Sequence, residues 1–211
     1  MGERRLVSEK CGCEFTATNA EERRTLIAVL VINASMFVFE LAAGIWSEST
    51  GLVADSLDMF ADASVYSVSL YAVGRQARIR QLAATASGVL QVGLGLLVLG
   101  QVIYRTVVGS EPISGAMIGV GAIALAANTA CLKLLAKHRH GDVNLRASWV
   151  FSTNDVLANL GVILSGGLVW WTQSQLPDLL IGLVIAALVI RGGVWIVADA
   201  SRERCRSEGM D

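Results

Sequence analysis

The sequence predicts an all-α integral membrane protein with six transmembrane helices and both termini in the cytoplasm. Three observations carry this: long apolar runs, short connections between them, and basic residues confined to alternate connections. Of the 211 residues, 54% are hydrophobic and 17% charged, whereas soluble domains are about a quarter charged. The apolar residues gather in six stretches, 26–46, 52–73, 82–104, 113–132, 147–171 and 176–197. Each is close to the ~20 residues that cross the hydrocarbon of a bilayer. Strict alternation is absent, and a backbone in lipid must satisfy its own hydrogen bonds, so these stretches read as helices rather than barrel strands.

Span one follows a polar segment, 1–24, that carries charges of both signs and no apolar core. A cleaved signal peptide is therefore not expected, and span one serves as its own insertion signal. Gly88, Gly93, Gly95 and Gly100 thin span three, and Gly115 and Gly119 give span four a small-xxx-small face, a pattern of close helix packing. Span six opens on Leu176-Pro177-Asp178, with proline near the first helical position and the acid at the positive end of the dipole. The organisation is then a polar arm (1–24), a six-helix domain (25–198) and a short tail (199–211).

Orientation follows from Lys and Arg. Arg4, Arg5, Lys10, Arg23 and Arg24 precede span one. Arg75, Arg78 and Arg80 join spans two and three, Lys133, Lys137, Arg139 and Arg146 join four and five, and Arg202, Arg204 and Arg206 follow span six. The opposite connections, 47–51, 106–112 and 172–175, contain neither residue, and Arg105 stands at the border of one. The positive-inside rule puts both termini in the cytoplasm. A net charge of −1 gives no reason to expect a nucleic-acid partner; the partners implied are lipid and small ions.

Span two is the exception to the apolar pattern, with Asp55, Asp58 and Asp62. An aspartate at the bilayer centre costs about 2.5–3.5 kcal/mol even on the insertion scale, so three in one helix must meet water, a cation or one another. Asp58 and Asp62 are one turn apart on one face, with Asp55 close to that face and nearer the outer surface. Span five adds Asp155, with Ser152, Asn154 and Asn159 around it. At ~1.5 Å per residue, Asp62 lies about 16 Å and Asp155 about 12 Å from the inner ends of their spans. Two helices thus offer carboxylates at one depth, an oxygen site suited to a divalent ion. The other charges inside the spans are Glu40 and Arg191. Arg191 can neutralise one carboxylate but not five, and for Glu40 a structural or gating role is as open as a ligand role.

With these residues in view the chain resembles the cation diffusion facilitator family of divalent metal–proton antiporters. The resemblance runs through Asn33 and Glu40, then Ser47-Glu48-Ser49-Thr50-Gly51-Leu52-Val53-Ala54-Asp55-Ser56-Leu57-Asp58-Met59-Phe60-Ala61-Asp62. It resumes at Asn154-Asp155-Val156-Leu157-Ala158-Asn159-Leu160-Gly161-Val162 and at Leu176-Pro177-Asp178. It implies that Asp58 and Asp62 are the metal ligands of span two and Asp155 the ligand of span five. The family's other ligand in span five falls on Phe151, which cannot coordinate a cation. Asn154, about 60° from position 151 on a helical wheel, is the replacement the sequence suggests, with Ser152 and Asn33 behind it and Asp55, Asn159 and Glu40 as accessories. The cytoplasmic domain that many members carry after the sixth helix is absent, so the chain reads as a short form.

The resemblance further implies alternating access, a homodimer, and export of a cytoplasmic metal ion for protons that compete for the same oxygens. It places the chain in a bacterial inner membrane, or an equivalent. A site of three aspartates and an asparagine is richer in oxygen than the family's and shifts preference towards Mn²⁺ or Fe²⁺, or relaxes it with Co²⁺ and Zn²⁺ retained. Cys11 and Cys13, in the arm, could capture a soft ion such as Zn²⁺ or Cd²⁺, and His138 and His140 could form a shallow entry site, although Lys137 and Arg139 beside them oppose a cation. If both thiols and acids bind metal, the ion is of the Zn²⁺, Co²⁺ or Cd²⁺ kind, held as cargo with no permanent cofactor. Alternatives left open are a transport-inactive relative acting as a partner or regulator, and metal uptake rather than efflux. An enzyme is not expected, since the spans contain no histidine.

Overall fold

A computed structural model describes residues 15–72, 77–136 and 143–208. Six helices follow in order: α1 (Phe15–Trp46), α2 (Thr50–Ala72), α3 (Ala77–Val108), α4 (Ser114–Ala136), α5 (Val143–Thr172) and α6 (Leu176–Glu208). No strand occurs among the described residues. The six expected spans are all helical, and each helix overruns its apolar stretch at one end or both. The backbone keeps its hydrogen bonds by continuing the helix into the polar boundary.

Five helices are long and apolar enough to cross a membrane, and α2 is not among them. The reason is its three aspartates, and the packing explains how they are tolerated. α2 touches each of the other five helices and is the centre of the bundle, so Asp55 and Asp62 face protein rather than lipid. The outer helices show the opposite pattern: only 22–39% of their apolar windows is buried within the chain. Val38, Leu97, Leu164 and Leu180 are each more than half exposed, as a lipid-facing surface requires. Trp46, Tyr104, Trp170 and Trp171 stand exposed at the connections between α1 and α2, α3 and α4, and α5 and α6. An aromatic belt at a membrane boundary has this composition.

The connections are tight. Gly109 ends α3 at φ +91°, its N–H donating to the Arg105 carbonyl at 2.8 Å, a left-handed terminus that glycine adopts without strain. Glu48 turns α1 into α2 at φ 54° and is held there by the Arg105 guanidinium at 3.0 Å and by the Glu111 N–H at 3.3 Å. The expected close packing by glycine is met selectively. At the crossing of α3 and α6, a Cβ on Gly193 would stand 2.7 Å from the Gly88 carbonyl, and one on Gly88 2.9 Å from the Gly193 carbonyl. Gly115 and Gly119, by contrast, have nothing within 4 Å of a Cβ position; α4 turns the other side, bearing Met117, Gly121, Ala124, Asn128, Cys131 and Leu135, into the bundle.

The interior is layered. One apolar cluster, including Leu52, Val98, Met117, Val162 and Ile185, fills the half next to the α1–α2 connection. A second, of Leu26, Val29, Tyr66, Cys131 and Leu135, fills the half towards the termini. Asn33, Asp62, Asn128, Asp155 and Asn159 occupy positions between them and are buried.

A candidate metal centre at mid-bundle

The polar layer is built by four helices. α2 contributes Asp55 and Asp62, fully buried, and Asp58, partly exposed. α5 contributes Ser152, Asp155 and Asn159, all buried, because positions three and four apart share a helix face. α1 contributes Asn33 and Glu40, each 0% exposed, and α4 contributes Asn128 at 1%. Asp58 and Asp62 stand one turn apart on α2, and Asp155, Asp55 and Glu40 are buried with Asp62 inside the bundle. Buried like charges call for a neutralising partner, and none of basic character faces them among the described residues. Arg191 lies on the exposed face of α6, and the ion pair Arg105–Glu48 belongs to the α1–α2 connection.

Few donors reach these acids. The Tyr66 hydroxyl donates to Asp62 Oδ2 at 3.3 Å, with Ser152 beside it. Asn159 spends its Nδ2 on the Asp155 carbonyl at 2.7 Å, and Asn33 spends its own on the Val29 carbonyl at 3.0 Å. What remains unpartnered is mostly oxygen: Asn33 Oδ1, Asp155 Oδ2 and Asn159 Oδ1, together with both amide atoms of Asn128; the Glu40 and Asp55 carboxyls lie within reach of each other, where a shared proton can join them. An unsatisfied buried polar group costs about 1–3 kcal/mol, so a cluster of them marks a place built for something that supplies positive charge. Among the described residues no three Asp, Glu, Cys or His side chains converge closely enough to chelate one ion. The acids are neighbours across a polar layer rather than a closed cage.

The sequence expectations are met unevenly. Asp58, Asp62 and Asp155 share the layer, as do Asn33, Ser152, Asn159, Glu40 and Asp55. Asn154 does not: it is exposed, because the residue before Asp155 is turned by about 100° round the helix. Its side chain is thus turned away from the layer that holds Asp155. Cys11, Cys13, His138 and His140 lie outside the described residues, as does the Phe151 side chain. Two residues were missed. Asn128 sits in the apolar run of α4, where the search for charges passed over an amide. Asp178 stands in the first turn of α6, as expected, and also caps another helix: its carboxylate accepts from Ser49 Oγ at 2.7 Å, Thr50 N–H at 2.6 Å and Gly51 N–H at 3.0 Å.

The fold is that of a multi-pass helical membrane protein with acids buried at mid-bundle. The chain belongs to the cation efflux family: residues 26–203 match its transmembrane domain. It is similar to zinc transporter ZitB of Pectobacterium atrosepticum, at 26% identity over 88% of this chain and 62% of the relative. It is also similar to the metal cation efflux system protein CzcD of Cupriavidus metallidurans, at 22% identity over 84% and 60%. A third relative is the cadmium, cobalt and zinc/H(+)-K(+) antiporter of Bacillus subtilis, at 23% identity over 86% and 62%. The chain thus spans about three-fifths of the length of these relatives.

Proposed function

We propose that the protein exports divalent metal ions of the Zn²⁺, Co²⁺ or Cd²⁺ kind from the cytoplasm, across a bacterial inner membrane, in exchange for protons. The observation that carries this is the set Asp58, Asp62 and Asp155, gathered on two helices between two apolar clusters without a basic partner among the described residues. Further support comes from the names of the relatives, which are zinc, cadmium and cobalt transporters. A divalent ion offsets the mutual repulsion of the carboxylates when it binds. When it leaves, protons on the same oxygens prevent bare charges from being left in low dielectric. One cluster then serves both cargo and counter-ion, and the coupling needs no second site. The basic residues flanking the odd-numbered entries to the bundle support cytoplasmic termini, and a homodimer is the assembly we expect.

The test is flux into proteoliposomes loaded with a metal-sensitive dye, with and without a pH gradient. Zn²⁺, Co²⁺ or Cd²⁺ should be carried in a gradient-dependent way, and Asp58→Ala and Asp155→Ala should each reduce the rate at least about a hundredfold, since each deletes a charged ligand. Flux that ignores the gradient would overturn proton exchange. Folded protein that carries none of the three ions would overturn export and leave the transport-inactive relative.

A further inference from the structure

The site proposed above is short of one ligand, because position 151 is phenylalanine and Asn154 is exposed. The register of α4 against α5 points to a replacement. A Cβ on Gly121 would meet Ile163 at 3.0 Å and Val162 at 3.5 Å, and one on Gly166 would meet Met117 at 2.9 Å and Ile118 at 3.0 Å. The two helices are therefore antiparallel, and moving down one matches moving up the other. Carried two turns on from Gly121 and Val162, the register sets Asn128 opposite Asp155 and Cys131 opposite Ser152. Cys131 is fully buried on the inward face of α4. Asn128 lies on the inward face of α4, is 1% exposed, and has no partner on either its Oδ1 or its Nδ2.

We propose that Asn128 supplies, from α4, the neutral oxygen that completes the ion site with Asp58, Asp62 and Asp155. The inference rests on the metal-transport reading and deepens it by naming a ligand from a third helix. A carboxamide oxygen is an established ligand for divalent cations. It adds no charge, so the site keeps three negative charges, against which one divalent cation or the two protons that replace it bring the same +2. A fold that buries a carboxamide with neither end bonded carries a cost that a leucine of similar size would avoid, and coordination of the cargo is what offsets it.

Titration of the full chain in detergent with Zn²⁺ and Cd²⁺ tests this, alongside thermal unfolding without metal. Asn128→Leu should weaken binding at least about tenfold while leaving the metal-free melting temperature unchanged or higher. Asn128→Asp, which keeps an oxygen in place, should bind at least as tightly as wild type. If Asn128→Leu does not fold, Asn128→Ala takes its place in the same comparison. Unchanged affinity in the folded Leu or Ala variant overturns the assignment, as does a lowered melting temperature with intact affinity, which a purely structural amide would give. Asp155→Ala separates the two levels: loss of binding there with wild-type binding in Asn128→Leu removes Asn128 alone, whereas unaltered binding in Asp155→Ala removes the site itself.

Discussion

Asp62 shows how much a single partner matters in a dry interior. Its one hydrogen-bond donor among the described side chains is the fully buried Tyr66 hydroxyl, at 3.3 Å, a long bond from a group one turn away on the same helix. Such a donor can hold the carboxylate in orientation without competing with a cation for both oxygens. Tyr66→Phe should therefore cost about 1 kcal/mol of stability, read as a lower melting temperature, and shift ion affinity by less than about tenfold. A loss of binding as complete as that in Asp62→Ala would make the hydroxyl a ligand instead. Phe37 and Phe60, with ring centroids 4.9 Å apart, fix α1 against the same stretch of α2, so the orientation of the acids is set by apolar contacts as well as by this one donor.

At the scale of elements, α2 is held at its first turn by another helix. The first N–H groups of a helix have no partner within it, and those of Thr50 and Gly51 donate to the Asp178 carboxylate of α6. Gly182, one turn further along α6, admits the Thr50 side chain, whose methyl would be 2.9 Å from a Cβ there. Asp178→Ala leaves two buried N–H groups and the Ser49 hydroxyl without this acceptor, and should destabilise by about 2–3 kcal/mol, the sum of a lost cap and a lost charge-assisted bond. Asp178→Asn, which retains one carbonyl oxygen, should lose less. Equal melting temperatures for all three proteins would show the cap to be idle. Because α2 carries Asp58 and Asp62, any displacement of its start is passed along a rigid helix to the ion site.

Across the whole molecule, the asymmetry of charge leads us to expect cytoplasmic termini, the orientation that the proposed export requires. In a background lacking the native cysteines, Ser110→Cys, in the connection after α3, should react with a membrane-impermeant maleimide in intact cells. Ser207→Cys, in the tail, should react only after the cells are opened. The reverse pattern would invert the bundle and turn the proposed export into uptake. The exposed apolar sides of α1, α3, α4, α5 and α6 leave lipid or a second copy as the surroundings of this surface, while α2 stays inside in either case.

The sequence by itself determined the class of protein, the number of helices, and the acids carried within the spans. Length and hydropathy select a spanning helix whatever its neighbours, and a charge in hydrocarbon is costly enough to stand out. Asp58, Asp62 and Asp155 were legible for that reason, and their motif carried the family. Which polar groups face those acids was decided only by the tertiary structure. Asn154 is adjacent in sequence yet points outward, whereas Asn128, on another helix, comes level with Asp155 because α4 and α5 run antiparallel in the register fixed by Gly121 and Gly166. Asp178 is the helix start its sequence suggests, and packing in addition put its carboxylate on α2. Rotation about a helix axis and register between helices are properties of packed surfaces, set by where small and large side chains interlock, and no single span contains them.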